Sequence, residues 1–145
     1  MKYFKCGHCQ SPYKIDETKV TSSMIVIKCN QCGTGNVVRF GPVLVAQTKD
    51  QTKQFSLVLG ENRLGRISDN QKVEISIKDP YASKHHATIT LEEQDGKIFF
   101  FISDVKSTNG TFNRNKVKLK SDLKYPFTHQ DFYIIGLTKL SIKFT

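Results

Sequence analysis

From residue 43 onward, apolar and polar residues alternate in short stretches. Apolar residues recur in period two, or in brief runs, at 43–46, 55–59, 73–77, 87–91, 98–102, 132–135 and 140–144. Successive side chains of a strand point to opposite faces, so this pattern predicts strands with one face turned to a core. Turn-forming residues stand between them: Lys49-Asp50-Gln51, Gly60-Glu61-Asn62, Asp69-Asn70, Asp79-Pro80, Gln94-Asp95-Gly96 and Asn109-Gly110. No stretch keeps a helical period. Short strands at a spacing of roughly 8–12 residues predict an all-β sandwich or barrel.

The first forty residues read differently. Residues 24–28 and 37–40 predict two strands, with polar turn material at 16–23. All four cysteines lie here, in two pairs: Cys6-Gly7-His8-Cys9 and Cys29-Asn30-Gln31-Cys32. A two-residue gap lets one tight turn aim both sulfurs of a pair at one point. Two such knuckles bracketing one ion make a zinc ribbon, and four thiolates in a tetrahedron suit Zn²⁺ with no position left open for water. Cys6, Cys9, Cys29 and Cys32 are therefore the expected ligands, and His8 is not needed. A segment this short buries little core, so the metal is expected to supply most of its folding free energy, on the order of 10–16 kcal/mol. Clustering of the cysteines speaks against a disulfide framework for the whole chain and for a reducing compartment, the cytoplasm. The break near Gly41-Pro42 divides the chain into an expected ribbon, 1–41, and an expected sandwich, 42–145.

Charge narrows the partners only partly. The chain of 145 residues carries 22 basic and 13 acidic residues, formally +9. Residues 1–40 hold six basic and two acidic groups, and the rest sixteen and eleven, so the surplus is spread along the chain. Such a balance suits an anionic partner without choosing between nucleic acid, phosphoprotein and membrane surface. The longest apolar runs are only four or five residues, against roughly 20 for a spanning helix, so membrane insertion is not expected. The start, MKYFKCGHCQ, has no apolar stretch long enough for a secretory signal, so export is not expected either.

Three segments of the second region carry the functional chemistry. They are Gly60-Glu61-Asn62-Arg63-Leu64-Gly65-Arg66, then Asp79-Pro80-Tyr81-Ala82-Ser83-Lys84-His85-His86-Ala87, then Asp104-Val105-Lys106-Ser107-Thr108-Asn109-Gly110-Thr111-Phe112. In this order and spacing the chain resembles the forkhead-associated (FHA) domain family, whose pattern is a Gly-Arg, a Ser-x-x-His and an Asn-Gly. Its end, residues 131–136 and 140–144, is similar to the family's last two strands, and the resemblance covers about 100 residues.

That resemblance implies a β-sandwich whose loops at one end bind phosphothreonine peptides. The residue types suit the task. Arg66 offers a guanidinium fork that pairs with phosphate oxygens, Ser83 a hydroxyl and Lys84 a point charge. Thr108 adds a hydroxyl or a backbone donor, and the Asn109 amide both donates and accepts, as clasping a peptide backbone requires. By the same resemblance His86 is internal and holds the loops, Gly65 permits close packing before Arg66, and Gly110 takes a positive φ. The chain departs from the family where Tyr81 stands two residues before Ser83, a place where some members carry a basic residue, and an apolar or aromatic contact is open there.

An enzyme is not expected. Gly60 and Gly65-Arg66 imitate the spacing of a phosphate-binding loop, but Arg66 replaces the lysine and Ile67 the Mg²⁺-binding hydroxyl. No nucleophile elbow or zinc-protease motif is present. The expected function is a phosphothreonine-dependent adaptor, with a phosphothreonine-containing protein as partner and a structural zinc ribbon. The alternative is a nucleic-acid-binding ribbon regulated or tethered through the FHA domain. Against that alternative, the basic residues are scattered and only Tyr3, Phe4, Tyr13 and Phe40 are interleaved with them.

Overall fold

The structure, a computed structural model, describes residues 1–20, 24–68 and 73–144. The expected turn at Asp69-Asn70 lies outside the described residues. No α-helix occurs among them, and no helix is long and apolar enough to cross a membrane. The chain forms two compact units, Met1–Pro42 with Lys143–Thr145, and Val43–Ile142.

The first unit holds two hairpins. Strands β1 (Lys2–Lys5) and β2 (Pro12–Ile15) form one antiparallel sheet, and β3 (Met24–Lys28) and β4 (Gly35–Arg39) another. A 3₁₀ turn, Glu17–Lys19, lies in the connection between the sheets. Apolar packing is small: Phe4 stacks on Tyr13 at 6.0 Å and meets Phe40 edge-on at 6.3 Å. The strands β1 and β2 carry too few apolar residues to show in the alternation, so the sequence predicts only β3 and β4.

The second unit is a sandwich of two five-stranded sheets. The strands are β5 (Pro42–Gln47), β6 (Thr52–Ser56), β7 (Gly60–Arg66), β8 (Ile75–Ile77), β9 (Ala87–Gln94), β10 (Lys97–Asp104), β11 (Phe112–Asn113), β12 (Tyr125–Pro126), β13 (Phe132–Ile135) and β14 (Thr138–Phe144). One sheet runs in the order β12-β10-β9-β7-β8 and the other β11-β13-β14-β5-β6, and β7 pairs with β8 in parallel. Alternate residues of both sheets meet in the core: Leu44, Leu64, Ile75, Ile89, Ile102, Ile135 and Leu140 are all buried. The expected all-β sandwich is what the chain forms.

Two local readings need correction, and one residue explains both. Gly60-Glu61-Asn62 reads as a turn, but it opens strand β7, in register with Leu91, Thr90 and Ile89 of β9. The strand expected at 55–59 stops at Ser56. Asn62 is 1% exposed. Its Oδ1 accepts the Val58 N–H at 3.0 Å, and its Nδ2 donates to Val58 O and Ile89 O at 2.9 and 3.0 Å. The Asn62 amide thus takes over the backbone groups of Val58 and draws the chain out of the β6 ladder. A polar side chain on an inward position breaks the apolar alternation, so the pattern hides strand β7.

Candidate functional site

Three loops meet at one end of the sandwich: the end of β7, the β8–β9 connection and the β10–β11 connection. Direct hydrogen bonds tie them. Arg66 N–H donates to Ser83 O at 2.9 Å, Thr108 N–H to Ser83 Oγ at 3.1 Å, and Asn109 Nδ2 to Tyr81 O at 2.8 Å. Arg66, Ser83, Lys84, Thr108 and Asn109 are therefore brought together. Arg66 and Ser83 are half-buried, and Lys84, Thr108 and Asn109 are exposed. Among the described residues, the Arg66 guanidinium and the Lys84 ammonium engage no hydrogen-bond acceptor or carboxylate of this chain.

The bond from Thr108 fixes what Ser83 can do. Its oxygen already accepts an N–H, so its own proton is free to be donated outward. The same bond spends the Thr108 backbone donor and leaves Thr108 its hydroxyl. Asn109 likewise spends one amide proton on Tyr81 and keeps its carbonyl oxygen and a second proton.

His86 is fully buried behind these loops. Its Nδ1 accepts the Ser83 N–H at 2.9 Å, so its proton sits on Nε2, which donates to Gly110 O at 2.9 Å. The ring is a neutral bridge between the Ser83 loop and the Asn109 loop. Burial holds its pKa below the usual histidine value, against the pull of the Gly110 carbonyl, Asp104 and Asp79. Asp104 Oδ1 lies 3.7 Å from Nε2, and with a neutral ring this is not an ion pair.

Glycine is required at two places. A Cβ on Gly65 would collide with the Lys84 carbonyl, so no side chain fits where β7 passes the loop. Gly110 has φ +87°, a left-handed conformation that costs a side-chain-bearing residue energy.

Two carboxylates that the sequence does not single out brace the loops. Asp104 is 1% exposed. It accepts Ser107 N at 3.0 Å, Ser107 Oγ at 2.5 Å, Thr111 Oγ1 at 2.7 Å and Ser121 Oγ at 3.2 Å. Burial raises its pKa, but the bonds donated by Ser107 and Thr111 outweigh that, and its carboxyl is held below the usual range. Ser107 Oγ in turn accepts Gly110 N–H at 3.0 Å. Asp79 is 2% exposed and accepts Tyr81 N at 2.9 Å, Leu137 N at 2.8 Å and Thr138 Oγ1 at 2.7 Å. One local signal marks Asp104: an Asp three residues before a Ser bonds back to the chain and shapes a turn.

The family model of the FHA domain matches residues 62–136, just over half of the chain. The chain belongs to the FHA family. The matched stretch of the FHA domain begins at buried Asn62 and ends at Gly136, where a Cβ would press on the Asp79 carboxylate. Similar solved structures include full-length yeast Pml1p, 21% identical with TM-score 0.63, covering 74% of this chain and 83% of that one. The FHA domain of the Chlamydia trachomatis CT664 protein is 21% identical with TM-score 0.59, covering 71% and 96%. The MEK1 FHA domain, solved with a HOP1 peptide carrying a phosphothreonine, is 22% identical with TM-score 0.54, covering 70% and 96%. At these identities the likeness concerns the fold. The comparison with curated protein sequences gives no match.

In the first unit the four cysteines converge. Their sulfurs lie within 4.8 Å of one another, with Cys6–Cys32 at 3.6 Å and Cys9–Cys29 at 3.7 Å, and all four are free thiols. The two knuckles are near copies. Cys6 N–H bonds Ser11 O and Cys29 N–H bonds Thr34 O, both at 2.9 Å. The amides of His8 and Gln31 point at Cys6 Sγ and Cys29 Sγ, at 3.5 and 3.4 Å. The hydroxyls of Ser11 and Thr34 stand 3.1 and 3.2 Å from Cys9 and Cys32. Gln10 and Gly33 take the positive φ that closes each turn. The backbone amides of Cys9 and His8 and the Asn36 side chain bring the Cys6 thiol down to about 5, which favours the thiolate a metal needs. These four residues form a candidate metal site, and His8 contributes its backbone only.

Proposed function

We propose that the FHA domain binds a phosphothreonine-bearing segment of a partner protein, and that the cysteine site holds a structural Zn²⁺. The observation that carries the first reading is the state of the donors. Among the described residues Arg66 and Lys84 pair with no carboxylate, and the Ser83 hydroxyl accepts the Thr108 N–H and keeps its own proton to donate. A neutral, buried His86 ties the Ser83 loop to Gly110, and the Arg66 backbone is bonded to Ser83 in turn. A doubly charged phosphate with three acceptor oxygens is the ligand such donors fit. Thr108 and Asn109, both exposed, stand beside the phosphate position to contact the peptide. The MEK1 relative, with its phosphothreonine peptide, supports the same assignment. The protein acts on this reading as an adaptor and carries no catalytic residues.

For the metal, four Zn–S bonds of about 2.3 Å put tetrahedral sulfurs about 3.8 Å apart; here two of the sulfur pairs lie at 3.6 and 3.7 Å and all four sulfurs within 4.8 Å. The all-thiolate donor set favours zinc over harder cations and fits a reducing compartment such as the cytoplasm. Metal analysis of the purified protein should give one zinc per chain. A disulfide-linked, metal-free ribbon would overturn this.

The phosphothreonine reading is tested with a degenerate phosphothreonine peptide library beside its unphosphorylated copy, followed by calorimetry on one selected peptide. Arg66→Ala removes a charge-assisted bond worth about 1.5–3 kcal/mol, a loss of roughly 10- to 150-fold, with the fold intact. Equal binding by the variant would place the site elsewhere.

A further inference from the structure

The loop from residue 105 to 124 carries six basic residues and one acidic residue. Its charges are not equivalent. Lys106 reaches Asp122 at 3.9 Å and Lys124 reaches Glu92 at 3.0 Å. Lys116, Lys118 and Lys120 are exposed, and among the described residues none of their ammonium groups meets a carboxylate.

Backbone pairing puts two of these lysines beside the phosphate loops. Asn113 N–H bonds Val117 O at 3.0 Å, Phe112 bridges Lys118, and Leu119 N–H bonds Thr111 O at 2.8 Å. The segment therefore runs back along 111–113 and brings Lys120 level with Gly110. Leu119 is buried, so Lys118 and Lys120 flank it on the outer side. The stem of Lys118 lies across Gly110: a Cβ there would stand 2.8 Å from Lys118 Cε and 3.3 Å from its Cδ and Cγ. The missing side chain of Gly110 is the cradle for that stem. Its backbone is fixed on both sides, by Ser107 Oγ at the N–H and His86 Nε2 at the carbonyl. The Lys118 stem is thereby laid against Gly110, the residue after Asn109, where a long lysine would otherwise sample many rotamers.

We propose that Lys118, assisted by Lys120, forms a second anion-binding position beside the phosphothreonine loops. It reads a further negative group on the same peptide, a carboxylate side chain or a second phosphate. This rests on the phosphothreonine reading and adds a preference to it: the bound segment is acidic or multiply phosphorylated next to its phosphothreonine. Lys116 provides the control, because it sits at the hairpin turn beyond the Phe112–Lys118 bridge and carries the same charge.

The test uses three synthetic versions of one library-selected phosphothreonine peptide: neutral flanks, aspartate-bearing flanks, and flanks with a second phosphoserine. Each is titrated into the full chain, as wild type, Lys118→Gln, Lys116→Gln and Arg66→Ala, at low and high salt. Exposed charge pairs are worth up to about fivefold each. The expected result is that one or both anionic versions bind about two- to fivefold better than the neutral one. Lys118→Gln should erase that margin without changing the neutral peptide, and Lys116→Gln should keep it. The aspartate and phosphoserine arms tell which anion is read. Equal binding of all three peptides to wild type, or a margin that survives Lys118→Gln, overturns the proposal while leaving the phosphothreonine reading standing. A neutral peptide that binds Arg66→Ala as well as wild type, or no phosphate-dependent binding at all, overturns both.

Discussion

Replacing Asp104 by Asn probes the bracing of the loops proposed to bind phosphate with almost no change in shape. The carboxylate receives four hydrogen bonds while 1% exposed. Its two oxygens face only donors, and an amide has one oxygen to offer. If the new NH₂ group faces Ser107 N–H and Ser121 Oγ, two N–H groups confront each other. If it faces Ser107 Oγ and Thr111 Oγ1, both hydroxyls must turn and accept, and their protons lose a buried partner. Bonds to a charged acceptor contribute about 1.5–3 kcal/mol, against 0.5–1.5 for neutral ones. One bond lost and the others downgraded gives about 2–4 kcal/mol. For a unit spanning Val43–Ile142, about 4–8 °C per kcal/mol corresponds to a drop in Tm of roughly 8–32 °C. Scanning calorimetry of the full chain measures it. Ser121→Ala removes only the longest bond, from an exposed residue, and should cost under about 1 kcal/mol. Phosphopeptide affinity of Asp104→Asn, measured well below its Tm, should also fall, because Thr108 and Asn109 ride on the loosened loop. A Tm within about 3 °C of wild type, or a Ser121→Ala loss as large as that of Asp104→Asn, would refute the reasoning.

Other substitutions and conditions separate the remaining parts. Gly65→Ala drives a methyl into the Lys84 carbonyl and must displace the Arg66–Ser83 bond, so it should lower stability by about 2 kcal/mol or more and weaken phosphopeptide binding at least tenfold; a neutral outcome in melt and titration would mean the loop yields freely. Because the folded pKa of His86 is depressed, its neutral state stabilises the fold fully above the unfolded value near 6.5, and that stability is lost as pH falls below it. Asp104, also depressed, adds a further loss below about pH 4, so Tm should fall from pH 7 to 5 in wild type and stay flatter over that window in His86→Gln. Chelation of the metal should unfold the ribbon, with loss of its strand signal by NMR, while the melt of the sandwich persists; a chelator without effect on residues 1–40 would show that apolar packing such as Phe4–Phe40 suffices there.

The sequence exposes what repeats or stands alone, and conceals what depends on a partner distant in the chain. Two CxxC pairs announce a metal site because the spacing is local, and the strands at 87–91, 132–135 and 140–144 announce themselves because every inward position is apolar. Strand β7 does not, because its inward Asn62 is satisfied by Val58 on one side and Ile89 on the other, and the second partner is known only once β9 is in place. The donor residues Arg66, Ser83, Lys84, Thr108 and Asn109 are visible as types in an ordered pattern, and the structure gathers them. Which of their atoms remain free is not visible. Thr108 N–H and one Asn109 amide proton are spent inside the protein, a fact fixed by bonds spanning 25 and 28 residues.

The same long-range bonds explain why the supports are buried and the donors are not. A phosphate in water is already well solvated, so a site gains by presenting donors whose positions cost nothing further to fix. Flexible surface groups such as Arg66 and Lys84 cannot fix themselves. Here the fixing is delegated to neutral or fully paired groups underneath. The His86 ring joins the Ser83 loop to Gly110, Asp104 gathers Ser107, Thr111 and Ser121, and Asp79 joins the Tyr81 turn to Leu137 and Thr138. A neutral histidine is the right bridge at such a place. A charged ring would turn two N–H groups outward, and the one on Nδ1 would face the Ser83 N–H. Each of the two buried aspartates is met by at least three donors of the protein. The two aspartates are buried behind the loops, whereas Arg66 and Lys84, the proposed phosphate donors, reach the surface. Removing a support should therefore lower affinity and stability together, whereas removing Arg66 should lower affinity alone. That contrast, read by calorimetry on Asp104→Asn and Arg66→Ala with one phosphopeptide, distinguishes a preorganised site from a patch of surface cations, which would lose affinity only with Arg66.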